Sequence, residues 1–252
     1  MKHNLQNKVA LVTGGSRGLG RWICIALAES GASVAVNYAN NKRDAEETIR
    51  MINERGGEAF AVQGDITQEA GVKDIIRQVN EHYGEIDILV NNATGPQPMV
   101  SIEESTWQLY MDQLVFFVKA PLLLTQAVLP SMKTRKTGSI VNIGSEVVQL
   151  GNANFANYVT AKSAMIGMTR SWANELGADG IRVNLIAPGF IPVERTEGID
   201  PSIIEGYRVG VPLQRMGKPT TIADAVVFFA SDASEFITGQ CLAVNGGNTF
   251  GI

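Results

Sequence analysis

Tyr158-Val159-Thr160-Ala161-Lys162 sets a phenol and an ammonium four residues apart, and in a helix that spacing puts both on one face, one turn apart. Such a pair can move a proton. A free phenol, with a pKa of about 10, holds its proton too tightly for efficient exchange near neutrality. A neighbouring ammonium, helped by a positively charged cofactor ring, corrects this; the correction asks for roughly 3–4 kcal/mol of differential stabilisation. Ser145 lies thirteen residues before Tyr158, at the predicted end of a strand, and its hydroxyl suits holding a carbonyl oxygen. Its other reading is a serine that caps the next segment. The chemistry this set serves is hydride on carbon and a proton on oxygen, the reduction of a ketone or its reverse. Chance alone predicts about 0.2 Tyr/Lys pairs at this spacing in such a chain, so the surroundings must carry the reading.

A hydride needs a donor, and Thr13-Gly14-Gly15-Ser16-Arg17-Gly18-Leu19-Gly20 offers a place for one. The loop follows a predicted strand directly and opens a predicted helix. Gly14 permits a tight turn, Gly18 lets backbone approach a pyrophosphate, and Gly20 allows close packing beside the positive helix end. An ordinary strand-to-helix turn reads the same, so a second signal is needed. It comes from the end of the second predicted strand, Val36-Asn37-Tyr38-Ala39-Asn40. NAD sites place a carboxylate there for the ribose 2′-hydroxyl; this chain has none. Arg17, with Lys42 or Arg43, is suited to neutralising a 2′-phosphate, so NADP(H) is expected before NAD(H). Lys42 and Arg43 read equally well as a solvated helix start.

These residues need a frame. Short β-branched runs at Val9–Thr13, Ser33–Tyr38, Ala59–Gln63, Ile86–Val90, Ser139–Ile143, Arg182–Ile186 and Leu242–Val244 alternate with amphipathic stretches, which predicts an α/β fold: a doubly wound parallel sheet of about seven strands with helices on both faces. Gly31, Gly56-Gly57 and Gly84 mark helix ends, and Thr67 a helix start. The irregular, proline-rich stretch at about 188–219 follows the sixth strand at the carboxyl edge and is a candidate substrate lid. No repeat or linker divides residues 1–252, which are expected to form one dinucleotide-binding oxidoreductase domain.

Taken together, the Thr13–Gly20 loop, Asp65, Asn91-Asn92-Ala93, Ser145, the Tyr158/Lys162 pair, Pro188-Gly189 and the closing Val244-Asn245-Gly246-Gly247 resemble the short-chain dehydrogenase/reductase family over essentially the whole chain. Within it the likeness is to bacterial β-ketoacyl-acyl-carrier-protein reductases and relatives with other substrates. The resemblance implies a Rossmann-type fold with Ser145, Tyr158 and Lys162 as catalytic residues. It implies a cofactor held by Gly14, Ser16, Arg17, Gly18, Leu19 and Gly20, with Tyr38 and Asn40 near the ribose. Asp65 and Ile66 would flank the adenine, and Asn92 and Ala93 would line the channel. Pro188, Gly189 and Ile191 would lie by the nicotinamide, and Tyr158 and Lys162 would also touch the cofactor.

Departures from the family pattern bear on the substrate. Thr94 replaces a usual Gly and Val193 a frequent Thr, while Glu146, directly after Ser145, is unusual and is read as solvated. The family's helix before the fifth strand usually carries an Asn that holds a proton-relay water. Here that position falls on Phe117 or Leu114, both apolar, and Gln113 is either the substitute or a solvated side chain. Asp179 adds negative charge, although Lys133, Arg135 and Lys136 remain as docking cations for an acyl carrier protein.

With 252 residues, 45% hydrophobic and 18% charged, and a net charge of −4 without a dense basic block, neither nucleic acid nor anionic membrane is expected as a partner. Cys24 and Cys241 are the only cysteines, which suits a reducing, cytoplasmic setting. The apolar stretch Leu114–Leu129 is interrupted by Lys119, Pro121 and Gln126, so no membrane span is expected. His3 and His82 lie at no ligand spacing, and no metal is expected. Leu114, Val115, Phe116, Leu122, Leu123, Met165, Met168 and Trp172 exceed what one helix face can bury, which predicts a homo-oligomer, a tetramer by family likeness. Trp107, Trp172 and the phenylalanines at 116, 117, 228 and 229 are read as core or interface. Three functions fit: an NADPH ketoreductase acting on a small-molecule ketone such as a 3-oxoacyl thioester, an NAD-linked alcohol dehydrogenase, and a cofactor-binding protein with little turnover.

Overall fold

The computed structural model describes residues 3–196 and 198–250. Seven parallel strands form its sheet: β1 (Val9–Val12), β2 (Ser33–Tyr38), β3 (Glu58–Gln63), β4 (Ile88–Asn91), β5 (Gly138–Ile143), β6 (Ile181–Pro188) and β7 (Cys241–Val244). Their order is β3-β2-β1-β4-β5-β6-β7, all neighbours parallel. The order reverses between β1 and β4, and the carboxyl ends of those strands open the crevice in which a ligand of such a sheet lies.

Strand side chains alternate between faces, and the alternation assigns each helix its partner. Ala10, Val12, Val34, Val36, Ile88 and Val90 face α1 (Gly18–Glu29) and α9 (Pro219–Ala230), where Ile23, Leu27, Val226 and Phe229 are buried. Leu11, Ala35, Val62, Leu89, Ile140 and Val183 face the other way, onto Ile75 and Val79 of α3 (Glu69–Tyr83) and residues of two helices described next. Each of the larger of these side chains, Val, Leu, Ile or Phe, contributes about 1.5–3 kcal/mol on leaving water. Between β2 and β3, α2 (Lys42–Asn53) starts where the Asn41 side chain accepts from the Asp44 amide. Thr67 stands one residue before the cap of α3, and its hydroxyl donates to Asp65 instead.

The apolar stretch Leu114–Leu129 lies within one continuous helix of 29 residues, Trp107–Arg135. It comprises α4 (Trp107–Leu114), a π-helical turn (Val115–Lys119) and α5 (Ala120–Arg135). Pro121 lacks an amide hydrogen and its ring crowds the Phe117 carbonyl four residues back; widening the preceding turn relieves both without breaking the helix. By length and apolarity this helix would suffice to cross a membrane. Its second half instead packs on the sheet, with Leu124, Val128 and Met132 buried. After β5 come the short α6 (Val147–Leu150) and the long α7 (Ala156–Leu176); α8 (Pro201–Gly210) lies in the expected lid stretch.

Candidate active site

Two glycines of the first loop are required by geometry. Gly14 adopts φ 62°, a left-handed conformation that costs other residues about 1–2 kcal/mol. A side chain on Gly20 would strike the Gly14 carbonyl and come within 2.6 Å of the Asn92 amide nitrogen. That amide donates to the carbonyls of Thr13 (2.9 Å) and Gly14 (3.2 Å), and the Thr13 hydroxyl accepts from the backbone amides of Asn92 (3.0 Å) and Ala93 (3.1 Å). Loop and β4 end are thereby tied together, and the first-turn amides of α1 at Gly18, Leu19 and Gly20 remain aimed into the crevice without helical acceptors. A Cβ on Gly18 would find nothing closer than 3.8 Å. This open, donor-rich cradle fits a diphosphate.

Along the rest of the crevice, Tyr38 is 5% exposed at the end of β2, Asn40 is exposed, and Ile66 is buried. The Asp65 carboxylate accepts from the Thr67 amide (2.9 Å) and hydroxyl (2.7 Å), which ties the turn before α3. Ser16 is buried, and its carbonyl accepts from the Thr48 hydroxyl (2.8 Å) and from Arg21 (3.0 Å). Arg17 projects as an exposed side chain with no hydrogen bond or ion pair among the described residues, whereas Lys42 pairs with Glu46 at 3.4 Å on the surface. Of the expected phosphate cations, Arg17 alone stands in the loop itself.

Tyr158 and Lys162 share a face of α7 and are both buried. The Lys162 ammonium donates to the Ile143 carbonyl at 2.6 Å and lies 3.7 Å from the Met165 sulfur. It sits 3.8 Å from the centre of the Phe117 ring and 5.6 Å from that of Tyr158. Phe117 meets Tyr158 edge-on (5.4 Å) and Phe155 stacks on it (4.6 Å). The π-helical turn thus presents Phe117 to the lysine as an aromatic face, a contact worth about 0.5–2 kcal/mol to a cation. The small gap beside it, lined by Thr13, Asn91, Ala93, Phe116, Phe117 and Met165 among others, has no room for a water-sized sphere. Gln113 is neither solvated nor turned to the lysine. It is 2% exposed, and its amide donates to the Pro96 carbonyl at 2.8 Å. Ser145 lies just past β5, where its hydroxyl accepts from the Val147 amide at 3.4 Å, so the capping role is present. Pro188 ends β6, the Gly189 amide donates to Val244, and Ile191 is packed in the core.

Glu146 corrects the sequence reading most sharply: it is 4% exposed, not solvated. Arg21, which sequence reasoning passed over, bonds the Ser16 carbonyl, the Thr48 hydroxyl (3.0 Å) and Glu194 (3.1 Å). No local pattern announces such a residue, because its partners come from three separate segments. The proposed carrier-protein cations are all engaged within the chain: Lys133 (3.5 Å) and Lys136 with Asp179, and Arg135 with Asp87. Trp107, read as core or interface, is 71% exposed and so is not core.

Comparison with known proteins places the chain in a family. A family model described as Enoyl-(Acyl carrier protein) reductase matches residues 14–249. The 3-oxoacyl-(acyl-carrier-protein) reductase of Staphylococcus epidermidis is 41% identical over 243 residues, 96% of this chain and 98% of the relative. Its counterpart from Synechocystis is 39% identical over 246 residues, covering 96% and 97%. Among solved structures, the promiscuous reductase LugOII, which catalyses keto-reduction at C1 in lugdunomycin biosynthesis, superposes with a TM-score of 0.90 at 34% identity over 98% of this chain and 100% of that one. A short-chain type dehydrogenase/reductase from Mycobacterium ulcerans gives 0.92 at 27% identity, covering 97% and 90%. Sheet order, glycine loop and near-full-length relatives converge: the chain belongs to the short-chain dehydrogenase/reductase family and is an oxidoreductase that uses a nicotinamide cofactor.

Proposed function

We propose that this protein reduces a ketone to an alcohol with NADPH, through Ser145, Tyr158 and Lys162. The observation that carries the reading is the buried Tyr158/Lys162 pair on one face of α7, with the ammonium fixed at the Ile143 carbonyl where β5 ends. The bound nicotinamide supplies the hydride. Ser145 holds the carbonyl oxygen, the Tyr158 hydroxyl delivers the proton to it, and the Lys162 charge makes that phenol a better acid. Phe155 and Phe117 pack the phenol from two sides and exclude water from around it.

Arg17, exposed and with no side-chain partner among the described residues, and the lack of a carboxylate at Tyr38–Asn40 support NADPH over NADH. Likeness to the Staphylococcus and Synechocystis enzymes supports a 3-oxoacyl thioester as substrate. Lys133, Arg135 and Lys136 pair with Asp179 and Asp87 at the surface, which only partly offsets the charge they would offer a carrier protein. We also infer one cytoplasmic dinucleotide-binding domain with a lid over about 188–219. A homotetramer is supported by the apolar surface of the long helix, where Trp107, Met111 and Leu122 are exposed.

Acetoacetyl thioesters on coenzyme A and on acyl carrier protein, offered with each cofactor, test the reading. Consumption of NADPH at least about tenfold faster than of NADH is expected, an advantage of about 1.4 kcal/mol. Faster turnover with NADH, or with alcohols and NAD, would favour the NAD-linked dehydrogenase. No turnover with any carbonyl would leave a cofactor-binding protein.

A further inference from the structure

Glu146 follows the proposed catalytic Ser145, yet its carboxylate is turned away into the protein and committed on both oxygens. Oε1 accepts from the Tyr207 hydroxyl at 2.7 Å and Oε2 from the Asn248 amide at 3.1 Å. Its backbone amide donates to the Pro188 carbonyl at 3.0 Å. The Tyr207 oxygen in turn accepts from the Phe190 amide at 2.9 Å, and the two rings meet edge-on at 5.6 Å. One residue, by its side chain and its backbone amide, therefore joins the end of β5, the end of β6, the loop after β7 and helix α8. The approach is close enough that a side chain on Gly189 would overlap the Tyr207 hydroxyl. Burial and the bond to the carboxylate push the Tyr207 phenol well above its usual pKa, so it stays a donor.

Helix α8 has little burial to hold it. None of its residues is buried, and Ile203 and Val209 are 61% and 60% exposed. With little apolar area to hold it, its attachment rests on polar contacts. A hydrogen bond to a buried carboxylate is among the strongest available, and removing one partner strands the other.

We propose that Glu146 is a positioning residue: through Tyr207 it docks α8 onto the ends of β5 and β6, so that lid position, the Pro188–Ile191 backbone and Ser145 are set together. This rests on the ketoreductase reading for its kinetic consequence but not for its structural one. Hydrogen exchange of the amides from Ser202 to Gly210, with NADPH bound, reads the docking directly. Glu146→Ala and Tyr207→Phe should each speed that exchange by about tenfold, the scale of one charge-assisted bond. The double variant should exceed the faster single by less than about threefold, because both remove one contact. Glu146→Gln keeps an acceptor for Tyr207 and should stay within about threefold of the parent. In steady-state assays on the best ketone, Glu146→Ala and Tyr207→Phe should raise KM more than they lower kcat, with Glu146→Gln restoring it. Tyr207→Phe removes a single oxygen and serves where Glu146→Ala does not fold. Unchanged exchange in Tyr207→Phe overturns the docking, and loosened α8 with unchanged KM and kcat overturns the positioning role. A parent without turnover on any carbonyl would defeat the ketoreductase reading and with it the positioning role, while the exchange result still decides the docking.

Discussion

At the scale of single residues, the proposed chemistry asks one ammonium, Lys162, to make one phenol, Tyr158, a better acid, and the structure buries the two together on one face of α7. Lys162 donates to the Ile143 carbonyl and lies over the Phe117 ring. Tyr158→Phe keeps the ring packing against Phe117 and Phe155 and deletes only the transferable proton. Turnover should fall by at least about 100-fold, the ordinary contribution of a general acid, while the NADPH dissociation constant measured by titration changes little; turnover within about tenfold of the parent would assign the proton elsewhere. Arg17 is the residue proposed to meet the cofactor's extra phosphate. Arg17→Ala should weaken NADPH binding about tenfold and leave NADH binding nearly unchanged, as loss of one charge-assisted phosphate contact requires. Equal losses for both cofactors would place Arg17 on the shared diphosphate.

At the scale of elements, the glycine loop and the end of β4 behave as one unit through Thr13 and Asn92. The opposite end of the sheet is clamped differently. Asp87, ahead of β4, accepts from the Val9 amide at 2.9 Å and pairs with Arg135, whose guanidinium also donates to the Ile86 carbonyl at 2.7 Å. The last turn of α5 is thus fastened to the start of β1 and β4, far from the crevice. Asp87→Ala should cost about 1–3 kcal/mol, because it strands a buried amide and a guanidinium, with little effect on KM. Chemical denaturation measures the first and steady-state kinetics the second; a stability loss under about 0.5 kcal/mol, the usual limit for surface changes, would show the clamp to be ornamental.

For the whole molecule, the question is what covers the long helix. Trp107, Met111 and Leu122 face outward from it, and a monomer would leave that surface wet. Light scattering at micromolar concentration should return about four times the 27.1 kDa chain mass; the mass of one chain would contradict the tetramer. Surface charge adds a pH dependence. The Lys136 ammonium beside Asp179 holds its carboxyl below the usual carboxylate range. A depressed folded value means the stabilisation is complete above the unfolded carboxylate pKa of about 4 and is lost as pH falls through the folded one. Below about pH 4, the melting temperature of the parent should therefore drop more steeply than that of Asp179→Asn. Parallel curves would show that the pair contributes nothing.

What the chain determines by itself is whatever depends on neighbours in sequence. β-branched runs mark the strands because side-chain alternation and steric preference are local. Gly14 and Gly20 mark the loop because only a missing side chain allows that turn and that approach. Tyr158 and Lys162 share a face because four residues make about one helical turn. Tertiary structure decided the rest. Glu146 reads as a solvated carboxylate until Tyr207 and Asn248, 61 and 102 positions away, bury it. Arg21 reads as an ordinary helix cation until Glu194, 173 positions away, meets it beside Ser16. Lys133, Arg135 and Lys136 read as free docking charges until Asp179 and Asp87 engage them. Burial and pairing are properties of which segments the sheet order brings together, and no spacing along the chain encodes them.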